Sequence, residues 1–270
     1  MEKETNMIFT SDSNRCPTCG GIGKVFYTKI SDLYEGKPIE YEYYKDCPTC
    51  HGRKTERVQE IYKRSSIPEI FSNAKMDAFR WDIYTNKDGS LINTEKIKKV
   101  FDSFLDDFLK WQDKGMGLFI FSRTKGSGKT FSASCLANTI ISRYAIRVRF
   151  DSAVNLINTQ QRADKDSPRL SESDPITDMS NVPLLVLDDI GAKDSNSWLD
   201  EILFTITDRR MQRKLPTIMT SNMPIAELPY NDRIVDRINA ICIQVDMPEV
   251  CIRARESNGQ KARFINQLGL

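Results

Sequence analysis

A glycine-containing segment near the middle of the chain carries residue types that bind phosphate in proteins. The segment runs from Arg123 to Thr130 with the sequence RTKGSGKT, after an apolar stretch and before a stretch with helical periodicity. Small residues ahead of a helix let backbone N–H groups surround an anion, and the helix dipole favours negative charge there. We therefore predict a nucleoside triphosphate site, in which Lys129 contacts the phosphates and Thr130 binds Mg²⁺. The predicted contact residues of the loop are Lys125, Gly126, Ser127, Gly128, Lys129 and Thr130.

This segment departs at one position from the usual phosphate-loop pattern, G-x-x-x-x-G-K-[ST]. The end of the pattern is present as Gly128, Lys129 and Thr130, but Arg123 stands where the first glycine is expected. A degenerate pattern of this kind also fits an ordinary glycine turn before a helix. The affinity for nucleotide is therefore left open by the loop alone, and the prediction needs support from elsewhere in the chain.

Carboxylates end a second apolar stretch and supply the other half of an ATP site. The sequence PLLVLDD places Asp188 and Asp189 where a buried strand is expected to end. Asp188 is predicted to bind Mg²⁺ or its water, and Asp189 to orient and deprotonate the attacking water. A third stretch ends in Asn222, which is predicted to contact the γ-phosphate and that water, although Asn is also a common turn residue. The loop and the paired carboxylates together predict ATP hydrolysis.

The elements that must position these residues alternate between short apolar stretches and stretches of helical periodicity. Such alternation predicts an α/β fold with a five-stranded parallel sheet flanked by helices. The predicted strands are residues 116–121, 146–150, 183–187, 217–220 and 241–245. The predicted helices are residues 94–111 (with Thr94 as N-cap), 130–144, 153–162, 198–213 and 232–239. The polar residues 164–181 are predicted to form an exposed loop.

Four of the seven cysteines form two Cys-Pro-Thr-Cys pairs near the N-terminus. These pairs predict a structural Zn²⁺ site in which four thiolates complete a tetrahedron, from Cys16, Cys19, Cys47 and Cys50. Residues 26–44 between the pairs are predicted to form a hairpin, and zinc would supply the folding free energy that so small a module lacks. A thiol redox pair is the alternative, and His51 is not predicted to bind metal. The other cysteines are predicted to be buried free thiols, Cys135, Cys242 and Cys251.

Composition and charge limit the classes of protein to which the chain can belong. Charged residues make up 28% of the sequence and the formal net charge is +2, so charge alone does not indicate a nucleic-acid-binding protein. No apolar run approaches the roughly 20 residues of a membrane span, and the N-terminus lacks the pattern of a signal peptide. We therefore predict a cytoplasmic protein without membrane contact. Its predicted parts are residues 1–62 (zinc-binding module), 63–93 (linker leading into the core) and 94–270 (ATPase domain).

Several motifs, taken in their order along the chain, resemble one protein family. They are IPEIF at residues 67–71, the phosphate loop, LLVLDDIG at 184–191, TSN at 220–222, IVDRI at 234–238 and VCIR at 250–253. This set resembles the DnaC/DnaI-type bacterial and phage replicative helicase loaders, which are AAA+ P-loop ATPases. The IstB-type transposition ATPases are a near relation. The resemblance covers most of the chain after the zinc-binding module.

The resemblance implies further residue roles and partners. Arg237 would be the arginine finger that reaches the γ-phosphate of a neighbouring subunit, and Arg253 the sensor 2 arginine that contacts nucleotide in its own subunit. The implied partners are a hexameric replicative helicase of the DnaB type, single-stranded DNA and further copies of the ATPase domain. Asp189 stands where many such ATPases have Glu, so we expect slow hydrolysis, stimulated by assembly or DNA. A DNA-contacting helix is implied within residues 151–162, where Arg162 is the only basic residue.

The zinc-binding module also bears on which function is expected. In DnaI-like loaders such a module docks on the helicase, so protein binding is its expected role. DNA contact through its basic residues is the alternative, with the candidates Lys24, Arg53, Lys54 and Arg57. Two other functions fit the motifs: an IstB-like ATPase that regulates a DNA transposase, and a zinc-dependent chaperone-like binder with a vestigial ATP site. The module favours the loader, because IstB-type proteins are not expected to carry one.

Overall fold

A computed structural model describes most of the ATPase domain and part of the N-terminal module. The described residues are 3–4, 16, 18, 24–34, 37–49, 54–153, 155–156, 175–192, 197–255, 257, 261 and 264. The strands near the N-terminus are β1 (Lys3–Glu4), β2 (Lys24–Tyr34) and β3 (Lys37–Asp46). The strands of the ATPase domain are β4 (Gly117–Phe121), β5 (Val148–Ser152), β6 (Leu184–Ile190), β7 (Thr217–Ser221) and β8 (Cys242–Asp246).

Helices occur throughout the described ranges. They are α1 (Lys54–Arg64), α2 (Glu95–Asp106), α3 (Phe108–Lys114), α4 (Lys129–Tyr144), α5 (Pro175–Asn181), α6 (Ser197–Gln212) and α7 (Asp232–Ile241). Single 3₁₀ turns lie at Glu69–Phe71, Met76–Ala78, Trp81–Ile83 and Ile225–Glu227. A further helical run covers residues 252–255. Among the described residues, no helix combines the length and the apolar character that crossing a bilayer requires.

The strands of the ATPase domain form one parallel sheet in the order β5-β6-β7-β4-β8. The predicted five-stranded parallel sheet is therefore confirmed. Every side chain of β7 is buried, as are the first four of β6, as expected of central parallel strands that are covered on both faces. Because β7 lies between β4 and β6, the residue that follows β7 is placed between the phosphate loop and the paired carboxylates.

Helices cover both faces of this sheet. On one face α2, α3 and α4 pack through a cluster of buried side chains that contains Phe104 and Ile140. On the other face α5, α6 and α7 pack through a second cluster, which contains Ile206 and Ile234. Full burial of such a side chain contributes about 1.5–3 kcal/mol relative to its exposure to water. The two clusters hold the strands so that their carboxyl ends meet at one edge of the sheet.

The predicted helix over residues 94–111 is two helices in the structure. The helical backbone is interrupted at Asp107, which has φ −111° and ψ 29° and separates α2 from α3. On either side of this break, Phe104 and Phe108 are fully buried, and their rings meet edge to face at 5.4 Å. The break therefore accompanies the packing of two aromatic rings, which the apolar periodicity of the sequence does not encode.

The start of α2 differs from its prediction in the residue that caps it. Thr94 lies at the N-cap position, but its side chain makes no capping hydrogen bond. The side-chain oxygen of Asn93 instead accepts a hydrogen bond from the N–H of Glu95 at 3.0 Å. Asn and Thr both serve as caps, so the geometry of the turn, rather than residue type, decides between them.

Two predictions between β5 and β6 have different outcomes. Residues 164–181 are predicted to be a loop, and this is wrong for the last part, since α5 occupies it with Met179 buried. A single turn or two of helix among polar residues gives too short a periodic signal to be predicted. Of the predicted helix 153–162, residues 153, 155 and 156 are helical. The remainder, including Arg162, lies outside the described residues.

The N-terminal part combines a hairpin with a helix that packs on the ATPase domain. The predicted hairpin is confirmed, because β2 and β3 pair antiparallel. α1 runs through the predicted boundary at Tyr62, whose hydroxyl donates to the carbonyl oxygen of Asn138 on α4 at 2.9 Å. Directly after α1, the carbonyl oxygen of Ser65 accepts from the N–H of Phe150 on β5 at 2.6 Å. The end of α1 is thus joined to the core.

Candidate functional site

The phosphate loop connects β4 to α4, and its two glycines adopt backbone conformations that other residues rarely take. Gly126 has φ 76° and Gly128 has φ 98°. A Cβ atom at Gly128 would lie 2.8 Å from the hydroxyl oxygen of Tyr84, and one at Gly126 would lie 3.1 Å from the sulfur of Cys251. Both positions therefore require glycine, for conformation and for space. The loop ends at the first turn of α4, where the helix dipole favours an anion.

Lys129 is the first residue of α4 and is almost fully buried. Its ammonium group donates to the carbonyl oxygens of Ser122 and Thr124, each at 3.0 Å. Burial lowers the pKa of Lys129, and the nearby carboxylates of Asp189 and Glu249 oppose that shift. The amine is thus held by its own loop and lies near carboxylates, at the place where phosphate oxygens are predicted.

Asp188 meets the phosphate-loop helix through a hydroxyl group. The Thr130 hydroxyl donates to one carboxylate oxygen of Asp188 at 3.2 Å, and the Thr220 hydroxyl donates to the other at 2.6 Å. Burial raises the pKa of Asp188, while the hydrogen bonds from Thr220 and Thr130 act in the opposite direction. Mg²⁺ prefers oxygen ligands and keeps several waters. The adjacent hydroxyl and carboxylate oxygens fit that ion.

Asp189 and Asn222 form a contact at the ends of neighbouring strands. The side-chain amide of Asn222 donates to a carboxylate oxygen of Asp189 at 3.0 Å. The backbone N–H of Asp189 donates to the Thr220 hydroxyl at 2.9 Å. Asp189 has φ 55°, in the left-handed region that non-glycine residues adopt at a cost, often at functional sites. The structure thus brings together the residues predicted as base and γ-phosphate contact.

Arg253 lies beside the loop, in the helical run of residues 252–255. The N–H groups of Ile252 and Arg253 donate to the carbonyl oxygen of Gly126 at 2.9 and 3.2 Å. The Arg253 side chain is exposed. After burial, its positive charge is a further cause that lowers the pKa of Lys129. The residue predicted to contact nucleotide in its own subunit is therefore placed next to the phosphate loop.

Arg123, which replaces the first glycine of the usual pattern, occupies a position that does not require glycine. The backbone φ of Arg123 is not positive, so an L-residue fits there without strain. The guanidinium donates to both carboxylate oxygens of Glu227, at 2.9 and 2.6 Å, and these hydrogen bonds hold the pKa of Glu227 below its ordinary value. The N–H groups of Arg123 and Thr124 donate to the Glu249 carboxylate at 2.8 and 2.7 Å. The loop is thus fixed from two sides.

Comparison with known families agrees with this geometry. A family described as IstB-like ATP binding protein matches residues 109–257, which is more than half of the chain. The chain belongs to the IstB-like ATP-binding protein family. The matched region includes the phosphate loop, the end of β6 with Asp188 and Asp189, the end of β7 with Asn222, and the run that contains Arg253.

Curated relatives of this IstB-like protein are named replicative helicase loaders. DnaC from Escherichia coli strain K12 is 26% identical over 184 residues, which are 67% of this chain and 69% of the relative. DnaI from Bacillus subtilis strain 168 is 25% identical over 237 residues, which are 86% of this chain and 68% of the relative. The second alignment is longer than residues 63–270, so it extends into the N-terminal module.

Solved structures show the same fold. A crystal structure of DnaI superposes with a TM-score of 0.55 at 22% identity, over 67% of this chain and 95% of that one. A crystal structure of the DnaC helicase loader gives a TM-score of 0.54 at 20% identity, over 67% of this chain and 99% of that one. These similarities concern the fold, and they confirm the prediction of an AAA+ P-loop core.

Arg237, the predicted arginine finger, is bound within its own chain. It lies on α7, where its side chain pairs with Asp208 of α6 and stacks on the ring of Phe204. Its contacts in the described residues are with α6 and with its own helix, and its role as an arginine finger stays a prediction. Its contacts within the chain were not predicted.

Residues that no sequence motif indicates support the phosphate loop of this IstB-like protein from the side of the core. Tyr84, which is 1% exposed, donates from its hydroxyl to the carbonyl oxygen of Ser127 at 2.9 Å. Arg255 donates to the carbonyl oxygen of Ile83 and to the carbonyl and hydroxyl oxygens of Thr85. The segment before α2 is therefore tied both to the loop and to the run that contains Arg253.

These missed residues differ in the signals that the sequence offers. Tyr84 lies in a short irregular segment, and no pattern connects it to the phosphate loop. Glu249 and Arg255 flank Arg253 closely in sequence, so their nearness to the site was available from that motif. Thr220 precedes the predicted Asn222 by two residues on the same strand end, and its hydroxyl was an available candidate for contact with the carboxylates.

In the described part of the N-terminal module, one distance is compatible with the predicted metal site. The sulfur atoms of Cys16 and Cys47 are 3.6 Å apart, too far for a disulfide of about 2.05 Å. Thiolates bound to one Zn²⁺ at about 2.3 Å lie roughly 3.8 Å apart, which fits. Within the described residues no cluster of three or more metal-binding side chains is found. Outside them lie Cys19, Cys50, His51, Arg53 and the side chains of Lys24, Lys54 and Arg57.

The remaining cysteines are as predicted in two cases of three. Cys135 and Cys242 are fully or almost fully buried, and burial raises the pKa of each thiol to about 12. The prediction of burial is wrong for Cys251, which is partly exposed. It lies in the segment that leads from β8 to Arg253, against the phosphate loop, and this segment follows the edge of the core instead of entering it.

Proposed function

We propose that the chain is an ATP-dependent loader of a hexameric replicative helicase of the DnaB type, which places the helicase on single-stranded DNA when replication begins. The observation that carries this proposal is the extent of the similarity to DnaI, the replicative helicase loader of Bacillus subtilis, over 86% of the chain. The family match begins only at residue 109. The similarity to the loader therefore extends beyond the shared ATPase domain into the N-terminal module.

The site geometry supports ATP binding at the carboxyl edge of the sheet. Bound ATP with Mg²⁺ supplies the γ-phosphate that is transferred to water. The loop residues 125–130 surround the phosphates, and Lys129 exchanges its contacts to loop carbonyls for phosphate oxygens. Thr130 and Asp188 hold Mg²⁺ through their hydroxyl and carboxylate oxygens. Arg253 contacts the nucleotide of its own chain.

Hydrolysis at this site depends on the paired residues at the ends of β6 and β7. Asp189 accepts a proton from the attacking water, and Asn222 orients the Asp189 carboxylate and contacts the γ-phosphate. Since Asp has a shorter side chain than Glu, we expect slow hydrolysis. An arginine of α7 from a neighbouring copy completes the site on assembly, with Arg237 as the candidate from sequence. The rate of ATP hydrolysis then rises when copies of the chain assemble on helicase and DNA.

The N-terminal residues supply the docking contact in this proposal. Residues 1–62 bind the helicase, residues 63–93 link this module to the core, and residues 94–270 form the ATPase domain. The sulfur separation of Cys16 and Cys47 supports a Zn²⁺ site that these residues share with Cys19 and Cys50. Elemental analysis of the purified chain is expected to give one zinc per chain, and a Cys47→Ser variant substantially less.

Binding to the purified helicase tests the proposal. The full-length chain is mixed with the hexameric replicative helicase of its host, with and without ATP and Mg²⁺, and analysed by size-exclusion chromatography. We expect a complex that ATP modulates in the wild type but not in Lys129→Ala, while Lys114→Ala, an exposed lysine at the end of α3, behaves as wild type. Absence of a complex under all conditions would contradict the loader function. A complex with a transposase instead would support IstB-type regulation.

A further inference from the structure

Strand β6 changes its alternation of side chains where the paired carboxylates lie. Leu185 and Leu187 both belong to the apolar cluster on the α6 side of the sheet, as expected of residues two apart on a strand. The next residue of β6 in that cluster is Ile190, which is three positions further along the chain. One extra residue is therefore inserted between Leu187 and Ile190.

The pairing of β6 with β7 shows this insertion as a β-bulge. Between the regular pairs of these two strands, Asp188 and Asp189 on β6 lie opposite the single residue Thr220 on β7. Such bulges are rare between parallel strands and over-represented next to active sites, where they re-aim a side chain. In a regular strand Asp189 would point into the apolar cluster, because neighbouring side chains point to opposite faces. The bulge instead leaves its carboxylate near Lys129.

Side-chain hydroxyl groups make backbone hydrogen bonds at this bulge. The N–H of Asp189 donates to the Thr220 hydroxyl at 2.9 Å, and the N–H of Gly191 donates to the Tyr230 hydroxyl at 2.8 Å. Backbone groups that a strand ladder does not pair need such partners when they are away from water. The conformation of residues 189–191 therefore depends on hydroxyl groups from two other segments of the chain.

Thr220 differs from Tyr230 because its hydroxyl also reaches a carboxylate. The Thr220 side chain is 1% exposed. Its oxygen accepts from the N–H of Asp189, and its hydroxyl hydrogen is donated to Oδ1 of Asp188 at 2.6 Å. The other carboxylate oxygen, Oδ2 of Asp188, accepts from the Thr130 hydroxyl at 3.2 Å. One buried hydroxyl thus fixes the backbone of one acidic residue and the carboxylate of the other.

We propose that Thr220 is a positioning residue, which orients Asp188 toward Mg²⁺ and holds the bulge that presents Asp189 to the attacking water. This rests on the proposed roles of these two acids in ATP hydrolysis. Because Oδ1 of Asp188 is bonded to Thr220, Oδ2 beside Thr130 is the oxygen that remains to bind Mg²⁺ or its water. Hydrogen-bond partners orient metal ligands in this way, and their loss typically lowers metal affinity or activity about 10–100-fold.

The dependence of ATP binding on Mg²⁺ tests the orientation of Asp188 without relying on hydrolysis. The full-length chain is titrated with ATP by calorimetry over a range of free Mg²⁺ concentrations. Thr220→Val keeps the shape of the side chain and removes the hydroxyl. Half-maximal tightening of ATP binding is therefore expected at about 10-fold higher Mg²⁺ or more, while ATP affinity in EDTA is unchanged. Thr220→Ser keeps the hydroxyl and is expected to restore the wild-type Mg²⁺ dependence.

Two further variants separate positioning of the carboxylates from support of the fold. Tyr230→Phe removes the hydroxyl that bonds the N–H of Gly191. Thr207→Val removes a buried hydroxyl of α6 that donates to carbonyl oxygens of its own helix. Hydrogen–deuterium exchange of residues 188–191 is expected to be faster in Thr220→Val and Tyr230→Phe, but not in Thr207→Val. The Mg²⁺ dependence of ATP binding is expected to shift most in Thr220→Val.

Hydrolysis at saturating Mg²⁺ and ATP tests the effect on Asp189. With helicase and single-stranded DNA present, Thr220→Val is expected to remain slower than the wild type, because the backbone of Asp189 has lost its hydrogen bond. A wild-type rate would overturn this part of the proposal. A wild-type chain that hydrolyses no ATP would instead contradict the proposed function, while the Mg²⁺ titration still decides the role toward Asp188.

The Mg²⁺ titration can also overturn the proposal. It is overturned if Thr220→Val shows the wild-type Mg²⁺ dependence, or if Thr220→Ser shifts this dependence as far as Thr220→Val does. An equal shift in Tyr230→Phe or Thr207→Val would likewise overturn it, because the loss of any buried hydroxyl would then suffice. Absence of a complex with the helicase contradicts the loader function alone, since the titration contains no helicase.

Discussion

Two buried cations lie at opposite edges of the same sheet and differ in what holds them. Lys129, at the carboxyl edge, donates to backbone carbonyls of its own loop, no more than seven residues away in sequence. Arg210, at the amino edge, is fully buried and donates to acceptors on separate segments. Those acceptors, at 2.6 to 2.8 Å, are the hydroxyl of Thr217 and the carbonyl oxygens of Met179, Val182 and Pro216.

This difference in hydrogen-bond partners indicates which of the two buried cations can bind a ligand. Lys129 can exchange its partners for phosphate oxygens by rearranging one loop, whereas Arg210 cannot be released without separating α5, the turn before β7 and β7 itself. Burial lowers the pKa of Arg210 to about 9, which still leaves it charged at neutral pH. Its charge is balanced by carbonyl dipoles, and the charge of Lys129 by carboxylates of the site. We infer that Lys129 serves binding and Arg210 serves stability.

The largest effect is expected on stability at the amino edge. Arg210→Ala removes the guanidinium that donates to three buried carbonyl oxygens and should lower the free energy of unfolding by about 3–5 kcal/mol, because each buried acceptor left unsatisfied costs roughly 1–3 kcal/mol. Urea denaturation followed by circular dichroism measures this. Arg210→Lys keeps the charge but loses the planar arrangement of donors, so an intermediate loss is expected. A loss below about 1 kcal/mol in Arg210→Ala would remove the distinction between the two cations.

At the carboxyl edge, the effect is expected on binding. Lys129→Ala should weaken ATP binding at least about 100-fold, or roughly 2.7 kcal/mol, while the free energy of unfolding changes by less than about 1 kcal/mol, since only contacts within one loop are lost. Calorimetric titration with ATP and urea denaturation of the same sample measure both quantities. A large loss of stability with retained ATP affinity would show that Lys129, like Arg210, stabilises the fold and does not serve ATP binding.

The sequence was sufficient for residues that one loop or one strand end positions. Lys129 and Thr130 are adjacent at the start of a helix, and Asp188 and Asn222 end apolar strands. Parallel strands bring their carboxyl ends to one edge, so the meeting of Thr130 with Asp188, and of Asn222 with Asp189, follows from the fold class.

Contacts between distant segments were not predictable from local patterns. Tyr84 and Ser127 are 43 residues apart, and Arg123 and Glu249 are 126 apart. Each contact joins a side chain to backbone atoms, and backbone atoms have no residue-type signature. The ion pair of Arg237 with Asp208 is also a contact between distant segments. The sequence places Arg237 on a helix but does not show that α6 supplies its partner. The motif therefore predicted an arginine on α7, but not the contacts with Asp208 and Phe204 that hold it in its own chain.

A smaller effect is expected where one such long-range contact is removed. Tyr84→Phe deletes the hydrogen bond to the Ser127 carbonyl and keeps the ring, so ATP affinity should fall about fivefold, near 1 kcal/mol. The matched control is Tyr144→Phe, because the Tyr144 hydroxyl also donates to backbone carbonyls, of Leu105 and Asp106, but far from the loop. Calorimetric titration should show weaker ATP binding only in Tyr84→Phe. Equal ATP affinity in both variants would show that the hydrogen bond from Tyr84 to the loop does not contribute to ATP binding.

The smallest effect is expected at the position that departs from the phosphate-loop pattern. Arg123→Gly restores the usual residue but should change ATP affinity less than about threefold, because an exposed ion pair contributes roughly 0–1 kcal/mol and the backbone there does not require glycine. Glu227→Gln removes the same ion pair and leaves position 123 unchanged. Similar ATP affinities in the two variants would assign any effect to the ion pair. A gain above about tenfold in Arg123→Gly alone would instead mean that the arginine side chain obstructs the binding of the phosphates.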